Sequence, residues 1–231
     1  MKAMPQACRV IFVTGTDTGV GKTLLTGLLL HHLRQKGTRA LAMKPFCSGG
    51  TADVRFLQAL QRGELADRDM NPFYFPKPVA PLVATRKAHR DVTLSEAVKR
   101  IQAVARRCPR LLIEGSGGLF VPLGEGYTVA ELIARLNGAV VVVSRNRLGT
   151  INHTLLTVRA LQAVGQKQLT VVLMGCRQRD ASTQSNAGIL AEWLFPVPLV
   201  EIPFLGPGAA RPVAVRKHAK KLKKVLARIL D

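Results

Sequence analysis

The stretch Val10-Ile-Phe-Val-Thr-Gly-Thr-Asp-Thr-Gly-Val-Gly-Lys-Thr23 decides the fold. Four apolar residues run into a glycine-rich turn that closes on Gly21-Lys22-Thr23. Such a turn points successive backbone N–H groups into one concavity, the lysine adds a point charge, and the hydroxyl after it is placed to hold Mg²⁺. The pattern predicts a strand ending at Thr14, a phosphate-binding loop, and a helix over Leu24 to Lys36 whose positive dipole end faces the same anion. Gly15 and Gly21 are separated by five residues where the general motif has four, so the loop is a variant. A ligand-free glycine turn has no need of strand, Gly-Lys-Thr and amphipathic helix together. A dinucleotide-binding fingerprint fails, because Lys22 follows the last glycine directly and no acid closes the second strand at Lys44.

Working outward, Arg39 to Met43 reads as a second strand that delivers Lys44-Pro-Phe-Cys-Ser-Gly-Gly50 at its carboxyl end. In a parallel sheet that end opens onto the same crevice as Lys22, and the Pro and Ser-Gly-Gly pattern suits a loop that approaches a ligand better than a plain surface turn. Ala52 to Gln61 reads as a short helix with Asp53 in its first turn, a placement that the helix dipole alone explains. Residues 62–91 hold four prolines and no sustained period, which predicts a long irregular connection. Thr93-Leu-Ser-Glu96 reads as a capping box opening a helix to about Arg107, with Leu94, Val98, Ile101 and Ala105 inward.

Arg110 to Ile113 is the next strand and ends in Glu114-Gly-Ser-Gly-Gly118. A carboxylate there, beside a phosphate loop, suits a Mg²⁺ partner; the competing reading is a carboxylate capped by the glycine amides that follow it. The series continues with a helix over Thr128 to Leu136, a strand over Ala139 to Val143, and a helix to Ala163 stopped by Gly165. A strand over Leu169 to Met174, a helix from about Thr183 to Leu194, a strand over Leu199 to Ile202 and a basic helix over Val213 to Leu230 complete it. Ala139 to Val143 is nearly all β-branched, as in a central parallel strand covered on both faces. Regular alternation predicts an α/β fold: a doubly wound parallel sheet of the three-layer, P-loop NTPase-like kind, in a single domain over residues 1–231.

A chain of 231 residues with 47% hydrophobic content is long enough for that core. It has no run of 18 apolar residues, and Met1-Lys-Ala-Met-Pro-Gln6 lacks the apolar segment of a signal peptide, so a soluble cytoplasmic protein is expected. Cys8, Cys47, Cys108 and Cys176 lie far apart without metal-ligand or redox spacing, which predicts reduced, mostly buried thiols. Net charge is +20, from 34 basic and 14 acidic residues. Residues 211–231 supply eight of the basic residues and one acid, leaving 26 basic against 13 acidic over the other 210. Such a field attracts phosphates, nucleic acid and anionic membranes alike. For the tail itself, the plainer reading is a helix packed through Val215, Leu222, Val225, Leu226 and Ile229, with solvated lysines outside.

Four blocks taken together resemble the dethiobiotin synthase family. They are Thr14-Gly-Thr-Asp-Thr-Gly-Val-Gly-Lys-Thr23, Lys44-Pro-Phe-Cys-Ser48, Glu114-Gly-Ser-Gly-Gly118 with Pro122-Leu123, and Leu148-Gly-Thr-Ile-Asn-His-Thr-Leu-Leu156. The likeness runs from about Arg9 to Leu205, and the five-residue gap in the loop is that family's own variant. What the resemblance implies is an ATP-dependent cyclo-ligase of biotin biosynthesis. One amine of 7,8-diaminopelargonic acid takes up CO₂ as a carbamate, the carbamate attacks the γ-phosphate of ATP, and the second amine closes a cyclic urea with loss of phosphate.

The resemblance also implies roles. Lys22 and the backbone of Gly19, Val20, Gly21, Thr23 and Leu24 hold the phosphates, and Thr23, Asp53 and Glu114 surround Mg²⁺, which replaces the dipole reading of Asp53. Lys44 lies between carbamate and γ-phosphate and, with Lys22, is the catalytic pair. Gly115, Ser116, Gly117, Gly175, Cys176, Pro203, Phe204 and Leu205 complete the nucleotide site. Thr18, Ser48, Gly117 and Gly118 meet the diamine. The site is completed across a homodimer interface, where Gly149, Thr150 and Asn152 reach the carboxylate of substrate bound mainly by the other subunit. Neither nucleic acid nor membrane is an implied partner.

One position departs. The family commonly has an asparagine after the Leu169 to Met174 strand to read the adenine edge, and this chain has Gly175-Cys176. Base selectivity is therefore expected to come from backbone or to be relaxed, with CTP or GTP serving comparably to ATP. Two other readings share the loop. A partitioning-type DNA-associated ATPase explains the charge but needs an extra lysine at the start of the loop, where Gly15-Thr16 stands. A cobyrinic acid amidation-type synthetase needs a glutaminase half that this chain is too short to carry.

Overall fold

The computed structural model describes residues 9–178 and 180–230, so Cys8 and the opening segment lie outside the described residues. In chain order the elements are β1 (Arg9–Gly15), α1 (Lys22–Gln35), β2 (Ala40–Met43), β3 (Phe46–Ser48), α2 (Ala52–Leu60), α3 (Asp67–Met70), β4 (Phe73–Phe75), α4 (Pro81–Lys87), α5 (Leu94–Ala105), β5 (Arg110–Glu114), β6 (Pro122–Gly124), β7 (Tyr127–Thr128), α6 (Val129–Leu136), β8 (Ala139–Arg145), α7 (Thr150–Ala163), β9 (Leu169–Met174), α8 (Asn186–Leu194), β10 (Leu199–Ile202), α9 (Pro212–Lys221) and α10 (Lys223–Leu230). A 3₁₀ turn over Ala181–Gln184 precedes α8.

Six parallel strands form one sheet in the order β10-β9-β8-β1-β5-β2. The chain moves from β1 out to β2, returns through β5, crosses to β8 on the far side of β1 and then steps out to β9 and β10. β1 is therefore the switch point, where ligands bind in open α/β sheets because the loops on either side diverge there. Register sets the levels: Val13 pairs with Glu114 on one side and Gly15 with Val143 on the other, so the loops leaving β1, β5 and β8 start at one end of the sheet. Val140 to Val143 are buried, as the β-branched run predicts for a strand covered on both faces. On one face of the sheet, α1 buries Leu25, Leu28, Leu29 and Leu30, because α2, α9 and α10 cover its outer side. Among the described residues no helix is long and apolar enough to cross a membrane.

Three local readings change. Residues 62–91 are not irregular throughout: they contain α3, β4 and α4, and β4 runs parallel to β3 with Phe46 opposite Phe73, their rings stacked at 4.7 Å. Elements of three to seven residues are shorter than the window over which a period can be detected, so tertiary pairing decided them. The basic tail is two helices, α9 and α10, broken at Leu222; the apolar side faces inward as expected, with Val215, Leu222, Leu226 and Ile229 buried and Val225 half-buried. At Thr93 only half of the capping box forms, the hydroxyl accepting from Glu96 N while Glu96 turns to Arg90. The reciprocal box sits instead at Thr128, whose hydroxyl accepts from Ala130 N and whose own N–H donates to the Glu131 carboxylate at 2.7 Å.

Candidate active site

The loop after β1 takes its shape from glycine. Gly21 has φ +109°, in the left-handed region that side chains avoid, and it turns the chain directly into α1. Lys22, at the first helical position, folds back over the loop and donates to Asp17 O and Gly117 O, both at 2.7 Å. Those two bonds tie the loop of β1 to the loop of β5. Burial lowers the Lys22 pKa to about 8 despite the neighbouring Glu114 charge, with Lys44 also pushing it down.

Next to it is a denser cluster. Thr23 Oγ1 donates to Glu114 Oε1 at 2.7 Å. Lys44 Nζ donates to the same oxygen at 2.5 Å and to Asp53 Oδ2 at 2.8 Å. Glu114 is 1% exposed and Lys44 7%, whereas the Asp53 side chain is 45% exposed. Burial alone would lower the Lys44 pKa, but the charges and hydrogen bonds of Glu114 and Asp53 outweigh it and raise it above the ordinary lysine value. Such a pair is held by mutual need, since removing one member strands the other charge at a cost of about 3–5 kcal/mol.

Supporting groups keep Lys44 in place. Its N–H donates to Met70 O, Asn71 Nδ2 donates to its carbonyl at 2.6 Å, and Phe73 N donates to Pro45 O. Ser116 Oγ donates to Phe46 O at 2.6 Å, pinning the β5 loop to β3. Asn71 and Asp17 are the functional supports that the sequence reading missed. Only α3 and β4, both below the resolution of sequence periodicity, bring Asn71 here; Asp17 acts through its carbonyl, which no side-chain pattern reveals.

The expected site residues thus fall into three groups. Thr23, Lys44, Asp53 and Glu114 meet directly, with Lys22 beside them. Gly117 and Gly118 lie against the loop of β1: a side chain on Gly118 would be 3.4 Å from Thr16 O, and one on Gly117 would be 3.7 Å from Thr18 Oγ1. Ser48 ends β3 and is half-buried. Val20 is buried and Leu24 half-buried against the core, so both contribute backbone rather than side chain.

A second group sits at the ends of β9 and β10. Gly175, Cys176, Pro203 and Phe204 line a cavity of about 350 Å³ with Asn146, Thr183, Gln184 and Glu201, while Leu205 packs on the core instead. The Gly175 N–H donates to Ile202 O at 2.7 Å, and a Cβ on Gly175 would lie 2.5 Å from Phe204 N. Backbone cannot yield as a flexible side chain can, so this spot admits only glycine. The Asn146 side chain is committed inside the wall, donating to Thr183 O and accepting from Asn186.

The third group opens α7. Gly149 caps the helix in left-handed geometry, and Asn152 is exposed. Thr150 is buried, its hydroxyl 2.6 Å from that of Ser144, so it can meet a ligand only through backbone. Leu148 (78% exposed) and Leu156 (60%) flank Asn152 at four-residue spacing. Cys47 and Cys108 are buried and Cys176 is half-buried.

Glu114 Oε2 is buried and has no hydrogen-bond partner among the described residues. Beside it stand a second carboxylate and a hydroxyl, a hard-oxygen set that fits Mg²⁺ better than a softer metal.

Comparisons with known proteins find likeness over most of the chain. A family profile described as "AAA domain" matches residues 9–221. The chain is 40% identical over 199 residues to the ATP-dependent dethiobiotin synthetase BioD of Anaeromyxobacter sp. Fw109-5, covering 84% of this chain and 89% of that protein. It is 36% identical over 196 residues to the enzyme of the same name from Bacillus licheniformis, covering 83% of each. Among solved structures it is similar to the MinC:MinD cell division complex of Aquifex aeolicus, with TM-score 0.64, 13% identity and 96% of both chains covered. It is also similar to a ParA family ATPase from Chlorobium tepidum TLS, with TM-score 0.59, 14% identity, and 98% of this chain and 99% of that one covered. At such identities these two share the fold alone.

Proposed function

The chain belongs to the ATP-dependent dethiobiotin synthetase family, and from that premise we propose how its strand ends close a cyclic urea. The observation that carries the reading is the meeting of two buried lysines with Thr23, Asp53 and Glu114 at the ends of β1, β2 and β5. A carbamate attacking a triphosphate brings like charges together, and cations held between them lower that barrier by several kcal/mol. Lys22 and the loop amides from Gly19 to Thr23 hold the phosphates of ATP. Thr23, Asp53 and Glu114 would hold Mg²⁺, which when bound neutralises charge on the phosphate oxygens.

Lys44 stands at the place where acceptor and donor meet. An oxygen of the 7,8-diaminopelargonic acid carbamate forms an O–P bond to the γ-phosphorus as the bond from that phosphorus to ADP breaks; the second amine then forms a C–N bond to the carbamate carbon as its bond to the phosphorylated oxygen breaks, and phosphate and a proton leave. Lys44 steadies the charge on the transferring phosphoryl group, and the Gly117–Gly118 backbone with Thr18 and Ser48 orients the diamine.

We place the base in the cavity at Gly175, Cys176, Pro203 and Phe204. Phe204, 41% exposed, offers a stacking face, and the lack of any side chain at Gly175 supports recognition through backbone and hence relaxed nucleotide choice. The exposed leucines either side of Asn152 support a homodimer in which a second copy covers α7, and Gly149, the Thr150 backbone and Asn152 receive the substrate carboxylate across that interface. A cytoplasmic location and a single domain over residues 1–231 belong to the same reading. The sequence relatives favour it over the partitioning-type ATPase, to which the likeness is one of fold.

Incubation with the diamine, bicarbonate, Mg²⁺ and ATP, followed by mass detection, is expected to yield dethiobiotin, and to yield none when the nucleoside triphosphate is omitted. Nucleotide turnover without that product would overturn the proposal.

A further inference from the structure

Lys44 holds the same two carboxylates that are assigned to Mg²⁺ above, and the inference here rests on that assignment. Glu114 Oε1 accepts from both Lys44 Nζ, at 2.5 Å, and Thr23 Oγ1, at 2.7 Å. An oxygen accepting two hydrogen bonds has both lone pairs committed. Asp53 Oδ2 is engaged by the same ammonium at 2.8 Å. A divalent cation cannot coordinate those oxygens while an ammonium remains on them, and one that enters through the unpartnered Glu114 Oε2 would stand beside the ammonium on the other oxygen of the same carboxylate, where the two cations repel with little shielding. Lys22 differs: it is equally buried, but its ammonium is held by two backbone carbonyls, Asp17 O and Gly117 O, rather than by a carboxylate.

We infer that Lys44 is the resident counter-cation of the metal site, and that a divalent ion and the Lys44 ammonium exchange on Asp53 and Glu114, so that arrival of the ion frees Lys44 to turn toward the reacting phosphate. The arrangement has two uses. It keeps two converging carboxylates neutralised between turnovers, and it makes the catalytic ammonium available only after metal and nucleotide have bound. Asp53 is suited to the handover, since its half-exposed side chain can swing while the buried Glu114 stays fixed.

Mn²⁺ titration of the whole chain without nucleotide, read by the electron paramagnetic resonance signal of the free ion, tests the exchange. Lys44→Met, which keeps the stem and removes the competitor, is expected to bind Mn²⁺ about tenfold more tightly than the wild type, because a ligand that need not displace an occupant gains affinity. Lys22→Met removes an equal nearby charge that touches neither carboxylate and is expected to change affinity by less than about threefold. Unchanged or weaker binding by Lys44→Met, or an equal gain in Lys22→Met, would overturn the inference. If Lys44→Met does not fold, Lys44→Gln keeps the donors without the charge and carries the same expectation.

A second measurement needs no variant. Brief acetylation of the wild type, with peptide mass analysis, should label Lys44 several-fold faster as Mn²⁺ saturates, with no such rise in NaCl of equal ionic strength. Labelling of Lys44 that is flat or falls with Mn²⁺ would also overturn it. Glu114→Gln checks the premise: it should lose Mn²⁺ binding, and retention would remove the ground for the exchange. Diamine and ATP are absent throughout, so failure to form dethiobiotin would count against the proposed function alone.

Discussion

At the ends of β1, β2 and β5, the phosphate side of the site is made of charged side chains, of which Lys22, Lys44 and Glu114 are each fixed by two protein groups; at the ends of β9 and β10, the base side is made of backbone and one exposed ring. Lys44 has two carboxylates on its ammonium and Asn71 on its carbonyl, whereas Gly175 offers a bare N–H already bonded to Ile202. The contrast teaches where demand on the chemistry is highest. Charge that develops during phosphoryl transfer must be met by preorganised cations, while a base that takes no part in bond-making need only be held.

The sharpest way to break that contrast is at Lys44. Lys44→Ala should lower kcat about 10³-fold while nucleotide affinity changes little, since its role falls on the transition state; rates near wild type would mean that the phosphate side is no more demanding than the base side. At the other end, Gly175→Asn restores the side chain common in the family but drives a Cβ to 2.5 Å from Phe204 N. It should cost about 1–3 kcal/mol of stability by thermal melting and should not sharpen the preference for ATP. A stable variant newly selective for ATP would show that the base side is built like its relatives' after all.

Proton linkage gives a smaller effect. The Lys22 pKa is lowered to about 8, so above that pH the free protein loses the charge that a bound phosphate would favour. Nucleotide affinity at pH 9 should be about tenfold below that at pH 7, with a proton taken up on binding, and Lys22→Met should flatten the profile. Smallest of all should be the effect of the base. Steady-state rates with ATP, GTP and CTP should agree within about tenfold, because no side chain at position 175 discriminates between their edges; a hundredfold preference for ATP would contradict this.

Much of the molecule was legible in the chain itself. The phosphate loop, Thr23, Glu114 and both lysines could be named because each stands at a strand end or helix start that local pattern marks, whereas Asp53 reads locally as a partner of the helix dipole and joined the metal candidates only through the family resemblance. Less legible was how those residues engage one another. Thr150 reads as a residue aimed at substrate, yet its hydroxyl turns inward to Ser144. Asn71 reads as part of an irregular stretch, yet it steadies the Lys44 loop. Seven basic residues of the tail are exposed on α9 and α10, with Arg211 exposed at the cap of α9, and none of the eight is in an ion pair among the described residues.

By itself, the order of residues determined that strands and helices alternate, that the sheet is parallel, and that a phosphate loop opens from its central strand. Those properties follow from hydrophobic period, glycine placement and capping, which act over a few residues at a time. Only the tertiary structure decided that one carboxylate oxygen serves both Thr23 and Lys44, and that the end of β9 approaches β10 too closely for any side chain. Lys44 and Glu114 are 70 positions apart in the chain, and Gly175 and Phe204 nearly 30, so their meeting depends on packed strands whose register no local rule can fix.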